Sequence, residues 1–217
     1  MQDLTGALLA GGTGLVGGQV LESLRRLAVA PVHALARTPR ADSEGLHWHD
    51  WAWFDADPLP ECAMAFCCLG TTHAQAGSKA AFAAVDRDLV LHFAERARAA
   101  GVTRFGLVSS VGADAGARSH YLRIKGQVED AISAMAFDAL HIIRPSLLLG
   151  SRGDSRPAED LAQRLAPVAG ALMAGPLRRY RPVGADKVAR QLVHAVVAGE
   201  AGRHVHYPWL AGKIKNA

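Results

Sequence analysis

A glycine-rich turn near the start of the chain constrains the fold more than any other feature. An apolar run over residues 4–10 leads directly into GGTGLVGG at positions 11–18, and apolar residues then recur at helical spacing through Leu27. Glycines at this spacing permit a tight turn, a close approach of backbone N–H groups to a pyrophosphate, and close packing of the helix on the strand. A loop without a ligand is the alternative, but the strand and helix on either side favour a dinucleotide site around Gly11, Thr13, Gly14, Leu15, Val16 and Gly17.

The rest of the chain alternates short apolar runs with helical periodicities. Strands are predicted over residues 4–10, 31–36, 46–54, 63–69, 104–109 and 140–143. Ser78 is expected to cap a long helix with Phe82, Val85, Leu89 and Phe93 on its inner face, and a second helix carries Tyr121, Lys125, Val128 and Ile132 on one stripe. This rhythm predicts an α/β fold of the Rossmann type, a doubly wound parallel sheet with helices on both faces.

The length of 217 residues suits one domain, with residues 1–150 as its cofactor-binding core. Beyond Gly150 the pattern changes: 151–157 are turn-rich, 158–174 and 186–196 have helical periodicity, and 178–183 are predicted as an edge strand. Asp186 is expected to cap the last helix. We expect residues 151–217 to form a small segment on the substrate side of the same domain.

Composition and charge limit the classes of partner. The net charge is only +4, and no run of five like charges indicates nucleic-acid binding. No apolar stretch reaches the roughly 20 residues that span a bilayer, and the first residues lack the pattern of a secretory signal. We therefore expect a cytoplasmic protein with a small-molecule substrate, no nucleic-acid or membrane partner, and a homodimer as an open option.

Histidine and cysteine spacings give no metal site. The pairs at 47/49 and 204/206 lack a third ligand at a suitable spacing. The three cysteines, Cys62, Cys67 and Cys68, have no CxxC spacing and lie in or near an apolar run, which favours buried reduced thiols.

The end of the second predicted strand discriminates between cofactors. An NAD site usually carries an acidic residue there, which accepts a hydrogen bond from the ribose 2′-hydroxyl. Arg37 stands at this place, 20 residues after Gly17, and Thr38 follows it. A guanidinium suits a 2′-phosphate, so the sequence predicts NADP(H), with an exposed surface arginine as the alternative interpretation.

A second group of polar residues points to proton transfer. Tyr121 and Lys125 are four residues apart and share a helical face, so that the lysine charge would stabilise the tyrosine phenolate. Such a tyrosine can exchange a proton with a carbonyl or alcohol while a nicotinamide exchanges hydride. Ser109 and Ser110 end the fifth predicted strand, at the sheet edge where ligands bind in this architecture, and either could hydrogen-bond the substrate oxygen.

The chain resembles the Tat-interacting-protein-like oxidoreductases, atypical short-chain dehydrogenase/reductases that are grouped with NAD-dependent epimerases and dehydratases. The resemblance covers residues 4–150 and rests on GGTGLVG at 11–17, FCCLGTT at 66–72, VDRDLV at 85–90, LVSSVGAD at 107–114, YLRIKGQVE at 121–129 and IIRPSLLLG at 142–150, with a weaker match at 183–189. It implies a Rossmann fold, NADP(H) and a Ser-Tyr-Lys catalytic set. It also implies that Gly70, Thr71 and Lys125 lie beside the cofactor ribose, and Pro145 and Ser146 near the nicotinamide.

Two points depart from the family pattern or stay open. Asp86 stands nearest to the place where many members carry an asparagine that completes a proton relay. Adjacent serines on a strand point to opposite faces, and the spacing to Tyr121 and Gly112 favours Ser109 over Ser110 as the catalytic one.

The sequence thus predicts an NADPH-dependent oxidoreductase acting on a small carbonyl or alcohol. Two alternatives are an NADPH-binding regulator without turnover and a nucleotide-sugar epimerase or dehydratase. The presence of Tyr121 and Lys125 argues against the regulator, whereas Asp86 leaves it open. The epimerase chemistry uses the same tyrosine–lysine pair but usually needs a larger substrate lobe than the residues after Gly150 supply.

Overall fold

The computed structural model describes residues 5–56, 58–149 and 180–208. The predicted turn-rich stretch 151–157 and the predicted helix over 158–174 lie outside these residues. The predicted edge strand over 178–183 is described from residue 180 onward and is wrong there, because only Val183 is in a strand, and that strand belongs to a separate two-stranded pair.

A parallel sheet of seven strands forms the centre of the described part of the chain. Its strands are β1 (Thr5–Ala10), β2 (Ala30–Leu35), β3 (Leu46–His49), β4 (Met64–Cys67), β5 (Arg104–Val108), β6 (Ala139–Ile143) and β9 (Gly202–His206), and they lie in the order β3-β2-β1-β4-β5-β6-β9. A separate two-stranded pair joins β7 (Leu148–Leu149) to β8 (Val183–Gly184). The Rossmann-type doubly wound fold predicted from the sequence is confirmed.

Helices cover both faces of this sheet. They are α1 (Leu15–Arg26), α2 (Trp51–Asp55), α3 (His73–Ala76), α4 (Lys79–Ala83), α5 (Leu89–Ala99), α6 (His120–Ala134) and α7 (Ala185–Ala198), with one π turn at Ala84–Asp88 between α4 and α5. Apolar residues of α1 and α7 pack on one face of the sheet, beside Leu9 and Phe66. Residues of α5 and α6 pack on the other face, beside Leu8 and Leu107.

The strand order locates the ligand cleft. The sheet runs outward from β1 in one direction through β2 and β3, and in the other through β4, β5 and β6. Parallel sheets bind ligands outside the carboxyl ends of the strands where this order reverses, here between β1 and β4. Ala10 and Cys67 end these two strands side by side, and the Cys68 N–H donates to the Ala10 carbonyl at 2.8 Å.

The described part of the C-terminal segment belongs to the Rossmann layers. Helix α7 packs against α1 and against β5 and β6, on the same face of the sheet as α1. Strand β9 adds a seventh strand beside β6. Gly184 rather than Asp186 is the N-cap of α7, and Asp186 lies in its first turn. The predicted role of residues 151–217 on the substrate side stays a prediction.

The predicted strand over 46–54 is wrong in its second half. Asp50 caps a short helix instead, because its carboxylate accepts a hydrogen bond from the Trp53 N–H at 2.8 Å. This local hydrogen bond satisfies a helix N-terminus and outweighs the strand preference of the three tryptophans in this segment.

The inner face of the long helix that begins after Ser78 differs in part from the predicted one, since Phe82 and Phe93 are fully buried as predicted. The Ser78 cap is observed, with its hydroxyl accepting from the Ala81 N–H at 3.0 Å. The π turn that follows adds a residue to one turn and rotates the chain beyond it. Asp86 and Val90 are therefore fully buried, whereas the predicted Val85 and Leu89 are only partly buried.

Candidate active site

The glycine turn after β1 requires glycine at its first and last positions. Gly11 has φ +84°, and a Cβ there would lie 2.6 Å from the Cys68 carbonyl carbon. A Cβ on Gly17 would lie 2.0 Å from the Gly11 carbonyl oxygen, so α1 can approach the end of β1 only without a side chain at this position. This close approach is what a dinucleotide-binding turn needs.

The beginning of α1 is open to an anion. Gly14 is its N-cap and offers no side-chain hydrogen bond, so the N–H groups of the first turn are left for another acceptor. Thr13 is exposed, Leu15 is half-buried, and Val16 packs into the core. The turn and helix therefore fit a dinucleotide pyrophosphate, with Val16 able to contribute only its backbone.

Basic residues lie beyond the end of β2, next to the glycine turn. Arg37 and Thr38 are exposed there. The Arg40 guanidinium lies 5.5 Å from the centre of the Trp48 ring, which in turn packs against Gly12. Trp48 is 9% exposed and belongs to the core.

A buried ion pair occupies the carboxyl edge of the sheet near the β1–β4 cleft. The Lys125 ammonium lies 2.8 Å from Oδ1 of Asp86, and the two side chains are 7% and 1% exposed. The contact has the distance of an ion pair but not the angles of a hydrogen bond. Oδ2 of Asp86 accepts a hydrogen bond from the Thr71 N–H at 2.8 Å. The pair therefore joins the π turn, α6 and the loop after β4.

The charge of Lys125 is maintained in this buried place. Burial works against the ammonium, but Asp86 and Tyr121 outweigh it and hold the lysine pKa above its ordinary value. A Cβ on Gly70 would meet Asp86 at 3.5 Å and Lys125 at 3.9 Å. Gly70 and Thr71 thus border the pair, where the family resemblance implies the cofactor ribose.

Tyr121 lies one helical turn before Lys125 on α6. It is half-buried, and its ring centre is 5.6 Å from that of Phe82 on α4. The predicted shared helical face of the tyrosine and the lysine is therefore present.

The two strand-end serines have different surroundings. The Ser109 hydroxyl is buried and donates to Oε1 of Glu129 at 2.5 Å. Glu129 is eight residues beyond Tyr121 on α6, about 12 Å along the helix axis. The Ser110 hydroxyl makes one weak contact, at 3.4 Å, with the carbonyl oxygen of the next residue. Ser110 is also partly exposed. This arrangement favours Ser110 over Ser109 as the serine able to reach a substrate beside Tyr121.

Glu129 was missed by sequence reasoning. Its buried carboxylate accepts hydrogen bonds from Ser109 and a bidentate pair from Arg144, at 2.9 Å to Nε and 2.6 Å to Nη2. The only available signal was an acidic residue on the apolar stripe of α6, four residues after Lys125. The Arg144 ion pair ties the end of β6 to α6.

Pro145 and Ser146 follow this arginine at the carboxyl end of β6. The Pro145 carbonyl accepts from the Val111 N–H at 2.8 Å, which joins the turn after β6 to the serine turn after β5. The Ser146 hydroxyl donates to the Arg181 carbonyl. The predicted neighbours of the nicotinamide therefore border the serines.

The described thiols and imidazoles are not arranged to bind a metal ion. Cys62, Cys67 and Cys68 are free, and burial raises the pKa of Cys62 to about 11 and that of Cys67 to about 12. Within residues 5–56, 58–149 and 180–208, no group of three His, Cys, Asp or Glu side chains is arranged to hold a metal ion.

Comparison with curated proteins gives clear relatives, although no protein-family model matches the chain. The chain is 36% identical over 174 residues to the mitochondrial protein fmp52 of Emericella nidulans, with 75% of each chain covered. It is 34% identical over 199 residues to the mitochondrial fmp52 of Aspergillus clavatus, covering 86% of this chain and 85% of that one. A shorter match of 101 residues, 48% identical, relates it to HTATIP2 of Rattus norvegicus and covers 46% of this chain and 41% of the rat protein.

Solved structures share the fold. UDP-glucose 4-epimerase of Thermotoga maritima superposes with a TM-score of 0.67 at 15% identity, covering 93% of this chain and 75% of the epimerase. The human epimerase family protein SDR39U1, solved with NADPH, gives 0.65 at 18% identity, covering 93% and 72%.

The cytoplasmic location expected from the sequence is contradicted by the fungal relatives, whose names place those proteins in mitochondria. Composition and the lack of a signal pattern carried that expectation, and neither distinguishes between compartments inside a cell. Among the described helices, none is long and apolar enough to cross a bilayer.

Proposed function

Because the chain belongs to the family of the fmp52 and HTATIP2 proteins, an atypical branch of the short-chain dehydrogenase/reductases, we propose that it is an NADPH-dependent oxidoreductase of a small carbonyl or alcohol. The observation that carries the proposal is the position of Tyr121 and Lys125. They share one face of α6, and Lys125 is buried against Asp86 and the loop after β4, at the sheet edge where this fold binds dinucleotides.

Cofactor binding is assigned to four segments around that edge. The turn at 11–17 and the first turn of α1 would hold the pyrophosphate. Arg37 and Thr38 would hold the 2′-phosphate. Gly70 and Thr71, together with Lys125, would contact the cofactor ribose that lies beside the ion pair. Pro145 and Ser146 would lie near the nicotinamide. NADP(H) is favoured because Arg37 stands where an acidic partner of a 2′-hydroxyl would otherwise stand.

A nicotinamide bound there would supply or accept the hydride. Tyr121 would act as the general acid in carbonyl reduction by giving its phenolic proton to the substrate oxygen, and solvent would restore that proton afterwards. Lys125 would stabilise the phenolate left behind. Ser110 would donate a hydrogen bond to the same substrate oxygen and orient it.

The experiment measures NADPH consumption, through the loss of NADPH absorbance, with a panel of aldehydes, ketones and quinones as substrates. Tyr121→Phe keeps the ring packing against Phe82 but removes the proton donor, so it should abolish reduction while NADPH affinity changes by no more than a few-fold. If Tyr121→Phe reduces an active substrate as fast as the wild type, the mechanism is wrong. A wild type that binds NADPH tightly and is inert across the panel would make the regulator the better interpretation.

A further inference from the structure

Asp86 is a buried carboxylate at the centre of the proposed site. It is 1% exposed, and its two oxygens face different elements: Oδ2 accepts from the Thr71 N–H, and Oδ1 lies 2.8 Å from the Lys125 ammonium. Burying a carboxylate is costly unless it is paired and hydrogen-bonded. Its two partners are both residues assigned to the cofactor ribose, so this carboxylate lies within the site.

A backbone irregularity brings Asp86 to this position. In a regular helix, at roughly 100° per residue, Asp86 would lie about 40° and Val90 about 80° away from the direction of Phe82. The π turn at Ala84–Asp88 rotates the chain so that Asp86 faces α6. Single π turns inside α-helices occur frequently at functional sites, and here the turn has the direct effect of placing a negative charge next to Lys125.

We propose that Asp86 is a positioning residue that fixes Lys125 in place and offsets part of its charge, so that Tyr121 stays protonated to higher pH than beside an unpaired lysine. The proposal rests on the proposed function of Tyr121 as the proton donor. It deepens that function by assigning the direction the site is tuned for, which is carbonyl reduction.

The sign follows from the charges. An unpaired lysine charge near Tyr121 favours the phenolate, whereas a carboxylate in contact with that lysine brings the net charge of the pair to zero and removes part of this effect. Carbonyl reduction needs the protonated phenol, and alcohol oxidation needs the phenolate. A site that keeps its phenol protonated therefore reduces carbonyls over a wider alkaline range.

Several other titratable groups lie near the pair. Cys67 on β4 faces both Asp86 and Lys125 but stays a neutral thiol, since burial raises its pKa to about 12. His120 precedes Tyr121 and packs edge-on against Phe82, with ring centres 5.9 Å apart. Arg87 and Asp88 pair with each other at 2.7 Å on the exposed side of the π turn.

The test is the pH at which the Tyr121 phenolate forms, measured by tyrosinate absorbance on the protein without cofactor. Asp86→Asn keeps the size of the side chain and an oxygen for the Thr71 N–H but removes the charge. The phenolate should then form about one pH unit or more lower than in the wild type. Subtracting the titration of Tyr121→Phe removes the signals of Tyr180 and Tyr207.

Asp88→Asn is the matched control, because it removes the same charge two residues away on the exposed side of the turn. It should leave the Tyr121 titration unchanged. If Asp86→Asn does not fold, Asp86→Ser offers a smaller neutral acceptor and should shift the titration in the same direction. An unchanged titration in a folded position-86 variant, or an equal shift in Asp88→Asn, would overturn the proposal.

Activity provides the second readout and separates two kinds of failure. With an active substrate, alcohol oxidation should begin to rise at a lower pH in Asp86→Asn than in the wild type. The alkaline decline of carbonyl reduction should also begin at a lower pH in this variant. If the wild type turns over no substrate, the proposed function fails, while the tyrosinate titration still decides the role of Asp86.

Discussion

Ser109 and Ser110 are neighbours in the chain with different surroundings. Ser109 is buried and bonded to Glu129, which also pairs with Arg144, so its hydroxyl belongs to a network that holds the ends of β5 and β6 together. Ser110 is partly exposed at the cleft edge and has only a weak contact with a neighbouring carbonyl. The spacing argument that favoured Ser109 could not detect this, because the buried carboxylate that engages Ser109 is 20 residues away in the chain.

We expect one serine substitution to reduce turnover and the other to reduce stability. Ser110→Ala should lower turnover roughly 100-fold, as the loss of one preorganised donor to a reacting oxygen does elsewhere, and leave stability nearly unchanged. Ser109→Ala should instead lower the free energy of unfolding by about 1–3 kcal/mol, since a buried acceptor on Glu129 loses a donor. Steady-state kinetics and urea denaturation of both variants check this. Full turnover in Ser110→Ala would remove it from the catalytic set.

Arg37 should determine cofactor preference. Its exposed guanidinium can pair with a 2′-phosphate, which NADPH carries and NADH lacks. Arg37→Ala should weaken NADPH binding roughly tenfold or more and leave NADH binding nearly unchanged. Calorimetry with both cofactors measures the two affinities. Equal wild-type affinities for NADPH and NADH would contradict the assignment.

Helix α6 carries the tyrosine and lysine of the site, and one glycine sets its distance from the loop after the serines. A Cβ on Gly126 would lie 2.1 Å from the Ala115 nitrogen and 2.2 Å from the Asp114 carbonyl carbon. The Asp114 N–H also donates to the Leu122 carbonyl at 3.2 Å. The loop therefore crosses α6 in direct backbone contact, which only glycine permits at this point.

Gly126→Ala should displace this loop from α6 and cost roughly 2–5 kcal/mol of unfolding free energy, within the range of severe packing substitutions. The matched control is Gly116→Ala in the same loop, where a Cβ meets only Asp114 Oδ1 at an ordinary 3.5 Å. Chemical denaturation of the two variants measures the difference. A Gly126→Ala protein as stable as the Gly116→Ala protein would show that the contact relaxes easily.

Elements with strong local signals could be predicted from the sequence, and those fixed by tertiary contacts could not. The apolar runs of β1, β4 and β6 and the stripe of α6 gave correct elements. Strand β9 was missed because GRHVH has one apolar residue and gains its place only by pairing with β6. The predicted inner face beyond Ser78 was correct at Phe82 and Phe93 but not between them, because the π turn changes the helical period, and a periodicity argument assumes a constant one.

At the scale of the whole sheet, imidazoles stack within the strand pairs at both of its edges. His33 of β2 stacks with His47 and His49 of β3, and on the other side His141 of β6 stacks with two histidines of β9, His204 and His206. Burial, with the neighbouring imidazoles, lowers the pKa of His33 and His141 to about 4. The imidazoles of His33 and His141 are therefore uncharged at neutral pH.

The protein should lose stability in mild acid. The pKa of His33 and His141 is near 6.5 in the unfolded chain and about 4 in the folded protein, so between these values the unfolded chain binds more protons. The unfolding free energy therefore falls as the pH falls through this window. Above pH 6.5 the contribution of these two histidines to stability is fully present. His141→Gln should flatten this pH dependence, and His194→Gln on the exposed face of α7 should not. Denaturation curves from neutral pH to about 4 measure it. Equal slopes in wild type and His141→Gln would contradict the account.

The central claim is that Tyr121 and Lys125 serve hydride transfer between a bound nicotinamide and a carbonyl carbon. The most direct measurement uses NADPH deuterated at the transferring position of the nicotinamide, with mass spectrometry of the alcohol formed from an aldehyde or ketone. We predict deuterium on the former carbonyl carbon with the wild type, and no labelled alcohol with Tyr121→Phe. Unlabelled alcohol from the wild type, or equal labelling by the two proteins, would contradict the account.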